Sequence, residues 1–179
     1  MNYKTARGWL TELERDRLVN LTREYASSPI PLIVNIGIEY GASVVCFREG
    51  SSNANIFAID IDISNKESGD IAYYIETDSG KLGADWGSLD ICKRIDVLFI
   101  DGDHSYEGVI RDLVWTWWVH VGGIVIFHDC YNWPPAPPKE VHSVCPGVNK
   151  AVQQWADVNE ETYKELDHTD TMRIFERVK

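Results

Sequence analysis

The sequence predicts an α/β fold built on a mostly parallel sheet. Two observations carry that prediction. The continuous apolar runs Val97 to Ile100 and Ile124 to Phe127, and the run Leu32 to Ile36 interrupted only by Asn35, read as strands covered on both faces. Each run ends in a Gly- or Asp-containing turn, and after the first two a helical stretch begins. In sheets of this kind ligands bind just beyond the carboxyl ends of the strands. Chemistry-bearing residues are therefore sought at those ends.

The 179 residues are expected to form one domain, 1–179, with residues 1–31 as an N-terminal helix and linker and 32–179 as the core. Apolar residues make up 44%, enough for a sizeable core. The net charge of −11 argues against a nucleic-acid backbone as partner, because that binding relies on Lys and Arg neutralising phosphates. It also weakens a membrane-surface reading. Cys46, Cys92, Cys130 and Cys145 form no CxxC pair, so a zinc ribbon or thioredoxin-type site is not expected. The N-terminus is charged rather than apolar, which points to the cytoplasm.

In chain order, residues 5–27 read as a helix, with Thr11 as N-cap or first-turn residue and Leu10, Leu13, Leu18, Leu21 and Tyr25 as its apolar face. Its expected role is to pack on the sheet or cover a cofactor cleft. The strand Leu32 to Ile36 then meets a turn framed by Gly37 and Gly41, and a helix starts near Ser43. Glycines suit backbone that bends sharply or lets a ligand approach. A helix N-terminus offers unpaired N–H groups to a carboxylate or phosphate. The spacing G-x-x-x-G fits neither the dinucleotide fingerprint nor a Walker A loop.

The second strand runs from Asn55 to Ile61, with Asp60 at its end and Asp62 beyond. An acidic residue there commonly takes ribose hydroxyls. Ser64 to Gly69 reads as a loop or short helix, Ile71 to Glu76 as a third strand ending in Thr77, Asp78 and Ser79, and Leu82 to Cys92 as a mixed connector. The strand Val97 to Ile100 delivers Asp101, Asp103 and His104 within four residues. One Asp would suffice for a turn or helix cap; two with a histidine point to a site.

A helix from Val109 to His120 follows, broken by Gly122 and Gly123. Its tryptophans, Trp115, Trp117 and Trp118, read better as a face packed on the sheet than as a sugar platform. The strand Ile124 to Phe127 ends in His128, Asp129 and Cys130, so a second strand end carries metal-capable groups. Asp101 and Asp129 could share one hard cation. The proline-rich stretch from Tyr131 to Pro146 reads as a loop, with Trp133 and His142 candidates to face substrate. Gly147 to Val158 is an amphipathic helix, and Thr162 to Leu166 with Met172 to Val178 form a hairpin at the sheet edge.

With VNIGIEYGAS, AIDID, ETDS, FIDGDHSYEGV and GGIVIFHD in this order, residues 32–179 resemble the class I S-adenosylmethionine-dependent methyltransferases. Within them the chain is most similar to the small-molecule group of macrocin O-methyltransferase and cephalosporin hydroxylase-like proteins, and more distantly to catechol O-methyltransferase. The resemblance implies a Rossmann-like, seven-stranded, mostly parallel sheet with helices on both faces and a C-terminal antiparallel hairpin. It implies cofactor binding by backbone around Gly37, Glu39 and Gly41, with Ser43 near the methionine carboxylate. Asp60 would take the ribose, Asp78 and Ser79 would lie near the adenine, and Asn35 stands where relatives carry an acidic residue. Asp101 would serve both cofactor and metal.

The resemblance further implies a divalent ion, Mg²⁺ before Mn²⁺ or others, between Asp101 and Asp129. The third ligand is open, since His128 stands where macrocin-type relatives carry Asp and is not a natural Mg²⁺ ligand. The general base is either Asp103, as in macrocin-type relatives, or His104, whose ordinary pKa is nearer the task. The expected activity is O-methylation of a small hydroxylated acceptor, in the cytoplasm, by a protein that a homo-oligomer would also suit. Two other readings stay open. One is a non-catalytic ligand-binding module on the same fold. The other is an iron oxygenase using His104, His128 and Asp129.

Overall fold

The computed structural model describes residues 1–89, 94–130 and 145–179. Cys92, the end of the 82–92 connector, Trp133 and His142 lie outside the described residues.

Seven strands form one sheet in the order β3-β2-β1-β4-β5-β7-β6. The strands β1 (Leu32–Ile36), β2 (Asn55–Asp60), β3 (Tyr73–Glu76), β4 (Ile95–Ile100) and β5 (Val119–Phe127) pair in parallel. The strands β6 (Tyr163–Thr169) and β7 (Met172–Arg177) form the antiparallel hairpin, with β7 against β5 and β6 at the edge. This is the predicted architecture.

Two cores sandwich the sheet, and strand residues alternate between them. Ile33, Val97, Phe99, Ile124 and Ile126 face α1 (Glu12–Tyr25) and α2 (Ala42–Gly50). Val34, Leu98, Ile100, Val125 and Phe127 face the opposite layer, which includes α5 (Pro146–Val158). Two faces, both dry, explain why the β4 sequence is apolar at nearly every position. Cys46 is plain core, as expected, and burial pushes its thiol up to about 12.

The strand β3 starts two residues later than expected and β6 runs three residues further, and three other regions differ more. The first helix starts at Glu12 rather than residue 5, because Thr11 and Glu14 close a reciprocal capping box there. Leu13, assigned to its apolar face, is exposed, while Val19 is buried. The connector after β3 folds as α3 (Ser79–Asp85) and a 3-10 turn (Trp86–Ser88). A Cβ on Gly83 would press on the Trp115 indole, so this helix needs glycine to lie close. The helix expected at 109–120 ends early. The helix α4 (Tyr106–Asp112) tightens to a 3-10 turn (Leu113–Trp118), and β5 already begins at Val119. Gly122 (φ 87°) and Gly123 do not break a helix. They absorb an irregularity in β5, whose Val119 pairs with Ile95 and Ile124 with Val97. Trp115 and Trp118 serve packing: their indoles donate to the Ser79 and Gly83 carbonyls at 2.9 Å each.

Candidate functional site

The parallel strands end level with one another. The backbone ladder continues one residue past them, through Gly37 N to Ile59 O, Asp101 N to Ile36 O and His128 N to Ile100 O. The residues that follow β1, β2, β3, β4 and β5 therefore rim one cleft of about 850 Å³. Of the predicted residues, Gly37, Glu39, Ser43, Asp60, Asp78, Ser79, Asp101, Asp103, His104, His128 and Asp129 all line it. Asn35 and Gly41 do not.

At the β1 end the loop is held from two sides. Asp60 accepts hydrogen bonds from the backbone N–H of Ile38 at 2.7 Å and Glu39 at 3.3 Å. Asn35, fully buried, donates its amide to the Gly37 carbonyl at 2.7 Å. The Asn35 amide nitrogen thus braces the loop, and its Oδ1 has no partner among the described residues. Gly37 (φ 81°) sits where a Cβ would strike the Asp101 carbonyl, so no other residue fits. Gly41 (φ 91°) caps α2 and packs against Ser68, supporting the turn from outside the cleft. Glu39 is left-handed too (φ 44°), and accepts from the Trp9 indole at 2.8 Å.

Beside β3, Asp78 caps α3 through Lys81 N, and Ser79 donates to Asp112 at 2.5 Å. Burial raises the Asp112 carboxyl to about 6, against the opposing Ser79 bond.

The other end is a cluster of side chains. His104 Nε2 lies 3.3 Å from Asp101 Oδ1 and 3.3 Å from Asp129 Oδ2. His128 Nδ1 lies 3.0 Å from Asp101 Oδ1 and 3.5 Å from Asp129 Oδ2. Asp129 is left-handed (φ 55°), a conformation Asp tolerates, and this turns its carboxylate toward the histidines. Behind His128 stands Glu14, only 1% exposed, its Oε2 3.3 Å from Nε2. Glu14 also accepts from Thr11 N, Thr171 N and Thr171 Oγ1. Burial works against charge on both partners. For Glu14, the bonds to His128, Thr11 and Thr171 win and its pKa falls. For His128, Asp101, Asp129 and Glu14 win and its pKa rises well above the ordinary histidine value. The His104 pKa is also raised, chiefly by its bond to Asp101.

Asp103 is spent elsewhere. Its Oδ1 accepts from Ser105 N at 2.9 Å and its Oδ2 lies 3.3 Å from the Arg111 guanidinium. The Ser105 bond lowers its pKa.

Sequence reasoning missed Glu14, Asp112, Trp9 and Thr171, all of which line the cleft. A signal existed only for Glu14. The pattern T-x-x-E at Thr11 to Glu14 announces a capping box, though not that its carboxylate also reaches His128.

The chain matches the family model described as a methyltransferase domain over residues 34–130, more than half its length. The chain belongs to this family. The matched span begins within β1, contains β2, β3, β4 and β5, and includes both donor-bearing strand ends. A curated relative, uncharacterized protein R132 of Acanthamoeba polyphaga mimivirus, is 44% identical over 61 residues, 32% of this chain. The match spans only 24% of that protein's length.

Solved methyltransferase structures share the fold at low identity. Podospora anserina PaMTH1, bound to S-adenosylhomocysteine, is 14% identical with a TM-score of 0.66, covering 95% of this chain and 80% of that one. MycE of the mycinamycin biosynthetic pathway, in complex with Mg and S-adenosylhomocysteine, is 17% identical with a TM-score of 0.64, covering 98% and 52%. The O-methyltransferase NovP is 16% identical with a TM-score of 0.62, covering 94% and 82%. Methyltransferase family and Rossmann-like fold are thus both as the sequence predicted. Among the described residues no helix is long and apolar enough to cross a membrane.

Proposed function

We propose that the chain, acting as a single domain over residues 1–179, transfers the methyl group of S-adenosylmethionine to a hydroxyl of a small molecule, assisted by a divalent metal. One observation carries this reading: the glycine loop with Asp60 and the Asp101–Asp129–histidine cluster line the same cleft.

The loop around Gly37 and Glu39, with Ser43 on the first turn of α2, receives the methionine carboxylate at the positive end of that helix. Asp60, already fixed by the backbone N–H groups of Ile38, Glu39 and Asp62, offers its remaining lone pairs to the ribose hydroxyls. Asp78 and Ser79 border the adenine. Asp101 and Asp129 orient the acceptor hydroxyl. Its oxygen attacks the methyl carbon in line with the departing sulfur. The C–S bond breaks, a methyl ether forms and S-adenosylhomocysteine leaves.

Asp101, Asp129 and His128 are the side chains that would hold a divalent ion, which would supply Lewis acidity to lower the acceptor hydroxyl's pKa. The donor set fits such an ion, with carboxylate and imidazole atoms within 4.8 Å of one another. Of the two candidate bases, Asp103 is disfavoured by its bonds to Ser105 and Arg111. His104, the more exposed histidine of the cluster, accepts the hydroxyl proton when its ring is neutral and passes it to solvent. The net charge of −11 supports a small acceptor over a nucleic acid or an anionic membrane surface.

Calorimetric titration with S-adenosylmethionine tests the reading. Micromolar binding is expected, weakened about 10- to 100-fold in Asp60→Ala, the loss of one or two charge-assisted hydrogen bonds. No binding to the unsubstituted chain would overturn it. A screen of hydroxylated acceptors for S-adenosylhomocysteine release then finds the substrate class.

A further inference from the structure

Among the described thiols Cys145 stands apart. Cys46 and Cys130 are buried in the core, while Cys145 is partly exposed. It immediately precedes α5, whose first turn lies against the turn that carries His104. A Cβ on Gly147 would come within 2.6 Å of Tyr106 N and 2.9 Å of the His104 carbonyl, so glycine is what lets the two segments approach so closely. Tyr106 Oη donates to Gln154 at 2.6 Å, and Lys150 Nζ lies 4.6 Å from the centre of the Tyr106 ring, fastening the same contact from α5. The position of Cys145 beside His104 is therefore set by packed helices.

Cys145 Sγ lies 3.6 Å from His104 Nδ1. On one zinc ion, with bonds of about 2.3 Å to sulfur and about 2.0–2.1 Å to nitrogen, such a pair stands about 3.5–3.6 Å apart. Asp129 completes the set: one donor atom each from His104, Asp129 and Cys145 lie within 4.8 Å of one another. The other nitrogen of His104, Nε2, faces Asp101 Oδ1 at 3.3 Å. A metal-binding histidine characteristically has its second nitrogen held by a carboxylate in this way, which fixes tautomer and ring orientation.

We propose that Cys145, His104 and Asp129 form a second metal site, for a thiophilic ion of the Zn²⁺ class, with Asp101 as the positioning residue behind His104. Cys145 loses its thiol proton to solvent as the sulfur–metal bond forms, and water takes the fourth position. Thiolate and imidazole suit such an ion, whereas Mg²⁺ takes oxygen ligands. The site shares Asp129 with the Asp101–Asp129–His128 set, so the two ions compete for one carboxylate. Its occupation also ties up the ring of His104. The consequence is inhibition of methyl transfer, because the proton acceptor and one group orienting the acceptor are withdrawn together. That consequence rests on the proposed function; the site rests on its three side chains alone.

The test is calorimetric titration of the chelator-treated, desalted full chain with ZnCl₂ in an excess of MgCl₂. One Zn²⁺ per chain is expected at micromolar concentration. Cys145→Ser and His104→Ala, both at partly exposed positions, should each weaken it by at least the about 10- to 100-fold that loss of even a supporting residue costs a metal site. Co²⁺ in place of Zn²⁺ should give a sulfur-to-metal charge-transfer band in the near ultraviolet, lost in Cys145→Ser. No Zn²⁺ binding in excess Mg²⁺, no such band in the unsubstituted chain, or unaltered Zn²⁺ affinity and Co²⁺ spectrum in Cys145→Ser would each overturn the proposal. Titration of the zinc-free chain with S-adenosylmethionine separates the two readings. Zn²⁺ bound through Cys145 without cofactor binding leaves the site standing and sinks methyl transfer. Cofactor bound without Zn²⁺ does the reverse.

Discussion

At the β1 end of the cleft the lining is largely backbone, shaped by Gly37 and anchored by Asp60; at the β5 end it is side chain, four donor groups braced by Glu14. The first kind of surface is local. Gly37 to Ser43 lie within seven residues, and only Asp60 reaches in from the neighbouring strand. The second kind is assembled from three distant stretches, with Glu14 and His128 separated by 114 residues. Backbone surfaces tolerate most side-chain changes except where a glycine is compelled. Side-chain clusters are sensitive to every member, because removing one charge leaves another buried without its partner.

The sharpest way to break this contrast is Gly37→Ala, since Gly37 is where the two ends touch. The added Cβ meets the Asp101 carbonyl and the residue must hold φ 81°. A loss of about 4 kcal/mol or more in denaturant unfolding is expected, with both cofactor and metal binding impaired. Next comes Glu14→Gln. The single amide oxygen can keep the Thr171 bonds or the Thr11 bond but not both, and the buried negative charge opposite His128 is gone. Stability at neutral pH should fall by about 2–4 kcal/mol, read from the urea midpoint, while cofactor affinity changes little. If cofactor binding fell equally, the two ends would not be separable as argued.

Asp112→Asn should act in the opposite direction. Its folded pKa, about 6, lies above its ordinary 3.8, so ionising it costs stability as pH rises from 3.8 to 6. The penalty is absent below that window and full above it. The asparagine should therefore stabilise by about 1–3 kcal/mol at pH 7, with the gain vanishing near pH 4. Thermal unfolding at the two pH values measures it. The smallest effect belongs to Asp103→Asn, which keeps the Ser105 bond and loses only an exposed pair with Arg111. A stability change under about 0.5 kcal/mol is expected.

The same contrast explains what could be read from the sequence. Strand ends, the glycine loop and Asp60 are written in short stretches, and so were legible. So were Asp101, which directly follows an apolar run, and Asp129, separated from the end of another only by His128. The roles at the β5 end were less so. That the Asn35 amide donates to the Gly37 carbonyl is a choice fixed by local geometry that no pattern records. Asp112 sits 33 residues from its partner Ser79, and the early end of α4 depends on β5 pairing back to Ile95. Where a side chain's partner lies in another element, only the assembled structure names it.

Glu14 has one more consequence. Its carboxylate opens the first helix through Thr11, touches His128, and accepts two bonds from Thr171, 157 residues later at the tip of the last hairpin. During synthesis the N-terminal segment emerges first. Its capping box can close at once, but the two bonds to Thr171 wait until the hairpin strands have left the ribosome. Cotranslational maturation of the cleft is thus a late event, gated by the arrival of residues 163–177.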